Sequence, residues 1–219
     1  MSFLQILHGI LEGFRVTALV TLLGMLYAVP FAFVAGVTQH CSKGWLRAAT
    51  TAVIEFWRST PVIILLYAFY YMLPGFGIRL PGLVVASLVL GLNIGGYGSQ
   101  AVRAALQTLD RGQEEAGRAL GLRPWQVLLK VELPQALVAM MPTFVNQFIQ
   151  LVKGTALVSL ITLDDMTFKA KEIAQLTYDP VSVYSGLLVA YFILCYPATI
   201  VGRWLEKLVG AGQRPVHDV

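Results

Sequence analysis

The chain has 219 residues, of which 57% are hydrophobic and 13% charged, with a formal net charge of +4 at pH 7. An average soluble domain is about 45–50% apolar and about 25% charged, so this sequence carries too few charges to cover a water-facing surface. The length suits one structural unit, and Cys41 and Cys195, far apart and without ligand spacing, argue against a disulfide framework or a metal site.

In chain order, Met1–Phe14 has no Lys or Arg, so the basic region of a cleavable signal peptide is not expected there. Five windows then contain no Asp, Glu, Lys or Arg: Val16–Ser42, Ser59–Ile78, Leu80–Val102, Leu133–Val152 and Pro180–Gly202. About 20 apolar residues cross a bilayer core as a helix, and inside lipid every backbone polar group must pair within the protein. The expectation is an all-α membrane protein, a single domain over 1–219, with spans near 15–40, 50–73, 80–103, 133–163 and 181–206. The polar interval 104–132 is the largest connection. Pro74 to Gly82 reads as a turn, Asp164–Asp179 as a short amphipathic helix outside the spans, and the tail after Gly210 as a disordered end.

Basic residues set the orientation. Lys43, Arg47, Arg103, Arg111, Arg118, Arg123, Lys130, Arg203, Lys207 and Arg214 fall on one side, against Arg15, Arg79, Lys169 and Lys171 on the other. The N-terminus is therefore expected outside and the C-terminus in the cytoplasm, with 104–132 cytoplasmic.

That interval has helix punctuation. Asp110 suits an N-cap, Glu114 and Glu115 an N-terminal turn, Gly121 a helix end, and Pro124 the first turn of a second helix. Small Ala116, Gly117 and Ala119 leave room for close approach by a partner.

Here a resemblance enters. Glu115-Ala116-Gly117, then Gly121, then Val131, Leu133 and Pro134 resemble the signature loop of ABC-importer permeases, with Gly117 in place of the second Ala. The resemblance implies a type I ABC importer permease fold, in which a coupling helix carrying Glu114, Glu115, Ala116, Gly117, Ala119, Leu120, Gly121 and Pro134 docks into a cytoplasmic ATPase dimer. The chain has no Gly-x-x-x-x-Gly-Lys-Ser/Thr phosphate loop. ATP and Mg are thus expected on the partner, and this chain is expected not to be an enzyme.

Other segments resemble the polar amino-acid uptake branch of that family. Arg58-Ser59-Thr60-Pro61 is similar to its Arg-Gly-Thr-Pro, and Lys153-Gly154-Thr155-Ala156-Leu157 to its Lys-Asp-Thr-Ser-Leu. Gly96-Tyr97-Gly98-Ser99-Gln100 with Arg103 is similar to its Gly-Ala-Tyr-x-x-Glu-x-x-Arg, with Gln100 where the family has Glu. The resemblance implies a subunit of the bacterial inner membrane working with a second permease subunit, identical or homologous, and an external solute-binding protein. Relatives of this kind carry histidine, glutamate, glutamine, arginine, cystine, opines or ectoine-type solutes. Membrane lipid is the expected surrounding, and no nucleic acid is expected.

Polar residues inside spans mark a solute path or bonds between helices. Asn93, Tyr97 and Gln100 are spaced i, i+4, i+7 on the third span, and Asn146 and Gln150, with Gln147 adjacent, lie on the fourth. Lys153, Thr155 and Ser159 surround an expected helix break at Gly154, with Lys153 either meeting a substrate carboxylate or reaching the headgroups. Arg58 and Thr60 flank a Pro at the second span, where Arg58 either pairs with Glu55 or guards the path. A secondary transporter or channel, or a membrane enzyme, is the competing class. The first calls for internal repeats and the second for a His cluster or Ser/His pair, and the sequence shows neither.

Overall fold

A computed structural model describes residues 2–212, and every described element is helical. Helix α1, Phe3–Leu11, begins with a reciprocal cap: the Ser2 hydroxyl accepts from the Gln5 amide, and the Gln5 side chain accepts from the Ser2 amide. Ile6 and Ile10 are its buried face. The sequence reading did not include this helix.

Helix α2, Phe14–Cys41, and helix α5, Gly82–Gln107, form the central pair. Their contact is built from small residues. A Cβ on Gly91 would stand 2.5 Å from the Gly24 carbonyl oxygen, and one on Gly95 2.8 Å from that of Ala28. In lipid, helices attract by close packing, which small residues permit. Ser87 and Ser99, both buried, return their hydroxyls to carbonyls of their own helix.

Between these lies the stretch expected as a span over 50–73, with Pro61 near its start: helix α3, Gly44–Ser59, ends at Thr60-Pro61, and the chain resumes with helix α4, Val62–Tyr67. A π turn, Ala68–Met72, and a 3-10 turn, Leu73–Phe76, extend α4, and the two halves meet at 98°. Pro61 has no amide to give to the preceding turn. Its carbonyl instead accepts from Ile64 and Leu65 and starts the next helix.

Helix α6, Arg111–Ala119, and the short helix α7, Pro124–Val127, make the polar connection. A π turn, Leu128–Glu132, leads into α8, Leu133–Gly154, which tightens into a 3-10 segment, Thr155–Ile161. Helix α9, Met166–Thr177, follows, its N-terminus capped by Asp165. Helix α10 spans Pro180–Gly212, so the segment just after Gly210, read as a disordered end, is still helical to Gly212. Residues 213–219, with Arg214 and His217, lie outside the described residues.

Among the described residues, four helical stretches are long and apolar enough to cross a membrane, and the bent α3–α4 pair brings the number to five if counted as one span. A main core joins α2, α4, α5, α8 and the 3-10 segment through Val20, Leu66, Val89, Leu151 and Ile161. A second core docks α1 on α9 and α10 through Ile6, Ile10, Met166 and Val183. Leu22, Leu26 and Val34 of α2 and Leu188, Phe192 and Ile193 of α10 are exposed, an apolar girdle suited to lipid.

Candidate functional site: a coupling loop and a polar cavity

The α6–α7 connection is held by local chemistry. The Asp110 carboxylate accepts from the Gly112 amide, and Glu114 pairs with Arg118 at 2.5 Å one turn on. The helix ends in a Schellman closure. The Leu122 amide donates to the Gly117 carbonyl and the Gly121 amide to that of Arg118, with Gly121 at φ +79°. Pro124 then opens α7.

This geometry divides the sequence-selected residues into two faces. Glu115, Ala116, Ala119 and Leu120 are exposed, Leu120 at 82%. Gly117 is buried instead, and a Cβ on it would lie 2.8 Å from Val127 Cγ2. Its smallness lets α6 pack on α7. Pro134 lies in the first turn of α8 and is exposed. The sequence reading passed over one link: Gln113 and Gln135 exchange side-chain hydrogen bonds of 2.6 and 3.2 Å, joining α6 to α8.

A cavity of about 490 Å³ with a mixed lining opens between α4, α5 and α8. It gathers Asn93 and Tyr97 from α5 with Gln147, Gln150 and Gly154 from α8, against Val62, Leu90, Ile94 and Leu151. Asn93 donates to the Trp57 carbonyl at 2.6 Å and the Tyr97 hydroxyl to that of Arg58 at 3.1 Å, so both tie α5 to the end of α3. Arg58 pairs with Glu55 at 2.8 Å, and its guanidinium carbon lies 5.2 Å from the Tyr97 ring centre. Arg58 does not itself line the cavity but contacts Tyr97, which does. Thr60 sits at the break between α3 and α4.

Other sequence-selected residues lie elsewhere. Gln100 donates to Gln39 at 2.9 Å, and Gln39 to Thr51 at 2.8 Å, an amide chain linking α5, α2 and α3. Thr155 is buried and bonds the Val152 carbonyl at 2.7 Å. Ser159 accepts from Lys171 at 2.9 Å. Asn146 and Lys153 do not line the cavity. Together with Thr143 and Gln150 they form an exposed stripe along α8, at i, i+3, i+7 and i+10. Thr143 has no signal of its own in the sequence; only the exposure of its neighbours picks it out.

Comparison with known proteins agrees with this architecture. Residues 28–211 match the family described as binding-protein-dependent transport system inner membrane component. A probable amino-acid ABC transporter permease of Sinorhizobium fredii is 34% identical over 204 residues, 90% of this chain and 86% of that protein. The L-cystine transport system permease protein TcyB of Bacillus subtilis is 30% identical, over 94% of this chain and 87% of its own length. The crystal structure of an amino acid ABC transporter with histidines superposes with a TM-score of 0.84 at 26% identity, covering 94% of this chain and 98% of that one. The chain belongs to the binding-protein-dependent transport system inner membrane components, as a multi-pass permease subunit of an ABC importer that is not itself an enzyme and works with a separate ATPase and a solute-binding protein.

Proposed function

We propose that this permease moves a polar amino acid or a similar small zwitterionic solute across the inner membrane. The stripe of Thr143, Asn146, Gln150 and Lys153 on α8 carries the reading. Polar and charged groups on a spanning helix are costly against lipid and face a water-filled path or another protein. The stripe runs beside the cavity lined by Asn93, Tyr97, Gln147 and Gln150, and together they make one wall of a passage. A second permease subunit, identical or homologous, supplies the other wall. The cavity offers neutral amides and a phenol, groups that orient an ammonium and a carboxylate by hydrogen bonds. The names of the relatives, with glutamine and L-cystine among their solutes, support the same class.

The chain takes the type I permease arrangement, with the N-terminus outside, α9 on the external side and α6–α7 in the cytoplasm. The exposed face of Glu115, Ala116, Ala119 and Leu120 docks into a cytoplasmic ATPase dimer, with Glu114, Gly117 and Gly121 shaping the helix beneath it. Pro134 marks where motion enters α8. ATP and Mg bind the ATPases, and their closure draws the two α6 helices together. The spans then switch from inward-open to outward-open. Lipid surrounds the apolar faces of α2 and α10.

The test is uptake by vesicles carrying the assembled importer with its binding protein, against a panel of amino acids and compatible solutes. ATP-dependent accumulation of a zwitterionic member is expected. Gln150→Leu is expected to lower that uptake severalfold with the complex intact. Uptake without ATP, or wild-type uptake by Gln150→Leu, would overturn the reading.

A further inference from the structure

A cavity of about 890 Å³ lies away from the proposed solute path, between the α2–α3 elbow and the α6–α7 connection. Its level follows from helix length. At about 1.5 Å per residue, α2 exceeds the roughly 30 Å hydrocarbon core, so its end at Cys41 reaches the headgroup layer. Glu132, immediately before α8, and Trp125, on α7, border the same cavity. Trp45, on the adjoining elbow, is 80% exposed. Exposed tryptophans of this kind mark the membrane–water interface.

The lining is mixed in a specific way. Val37, Leu46, Trp125 and Leu128 are apolar, and charges of both signs stand among them. Glu114 and Arg118 satisfy each other. Glu132 and Lys43 take part in no ion pair among the described residues. A cavity at headgroup depth with one carboxylate outside any ion pair, His40 lining the same space, one ammonium outside any ion pair and an apolar wall matches a ligand with an amine, an anionic group and a hydrocarbon tail.

We infer that this cavity is a binding site for a phospholipid with a primary-amine headgroup, phosphatidylethanolamine in chemistry. Glu132 accepts hydrogen bonds from the headgroup ammonium, and Lys43 meets its phosphate as a point charge. The acyl region lies along Leu46 and Leu128. A quaternary amine has no N–H to donate, so a choline headgroup loses the Glu132 bonds, and a glycerol headgroup has no cation for Glu132. Because the cavity is bounded by the α2–α3 elbow on one side and by Glu114 and Trp125 of the coupling connection on the other, a lipid held there contacts both. It therefore biases how the connection sits on the bundle, provided it binds one arrangement better than the other.

The experiment is native mass spectrometry of the assembled importer, released from nanodiscs holding equal parts phosphatidylethanolamine, phosphatidylcholine and phosphatidylglycerol. Binding is read as the ratio of retained lipids, so it does not depend on transport or on the solute carried. The wild type is expected to retain the ethanolamine lipid about tenfold over the choline lipid, the scale of a charged hydrogen bond. Glu132→Gln is expected to bring that ratio to near one. Lys43→Gln is expected to lower retention of both lipids while leaving their ratio unchanged. Equal retention by the wild type, or an unchanged ratio in Glu132→Gln, would overturn the assignment. Displacement of the lipid by free phosphoethanolamine or free amino acid would overturn it too, in favour of a soluble zwitterion site.

Discussion

Gly117 shows how one missing methyl group organises the α6–α7 connection. Its backbone sits against Val127, whose short branched side chain has little freedom to move aside. Gly117→Val is expected to separate α6 from α7, lowering co-purification of the ATPase while membrane insertion persists. The double variant Gly117→Ala with Val127→Ala restores room and is expected to recover most of that binding, as read by pull-down. Asp165 is a second such residue. It is buried where α9 begins, its carboxylate accepting from the Thr167 and Phe168 amides and Gly13 packing on its backbone. Burial raises its pKa above the ordinary 3.8 despite those hydrogen bonds. The folded chain thus holds the proton more tightly than the unfolded one, and this contribution to stability is complete below 3.8 and lost as pH rises through the folded value. From neutral to mildly acidic pH the wild-type melting temperature is expected to climb relative to that of Asp165→Asn. Asp165→Ala, which removes the cap, is expected to cost about 1 kcal/mol.

The elements differ in how visibly their ends are written. Asp110, Gly121, Pro124 and Asp165 each announce a helix boundary in the sequence, because capping, a left-handed residue and a missing amide act over a few residues. At Pro61 the sequence marks a break but not its 98° angle. Pro30, Pro142 and Pro197 lie inside continuous helices, so a proline alone does not say whether a helix will turn. Helix α1 was equally hidden, since nine residues are too few to show in a window scaled to a membrane. Between elements, the Gln113–Gln135 pair joins α6 to α8. Gln113→Leu is expected to leave ATP hydrolysis by the assembled importer near wild type while solute uptake falls. Parallel loss of both activities would make the pair a general support of the fold.

For the whole molecule, hydropathy and charge placement are linear properties, and the sequence alone determined that the chain is helical, membrane-embedded and a driven subunit with no phosphate loop of its own. The signature around Glu115 and Gly121 gave the family, because spacing survives substitution. Rotation and crossing of the helices are not linear properties. Asn93, Tyr97 and Gln100 share one face of α5 by spacing, yet the first two border the cavity beside α8 and the third bonds Gln39 of α2. The face is the same, but one turn further along, the neighbouring helix has changed. In the same way Gly117 turned inward while Glu115 stayed outside, and the α8 stripe emerged only when the bundle showed which sides were covered. Those choices rest on contacts such as Gly24 with Gly91 and Ala28 with Gly95, between residues more than 60 positions apart. Local propensity fixes where a helix begins and ends; only packing between such distant small residues decides which side of it faces solute, lipid or partner.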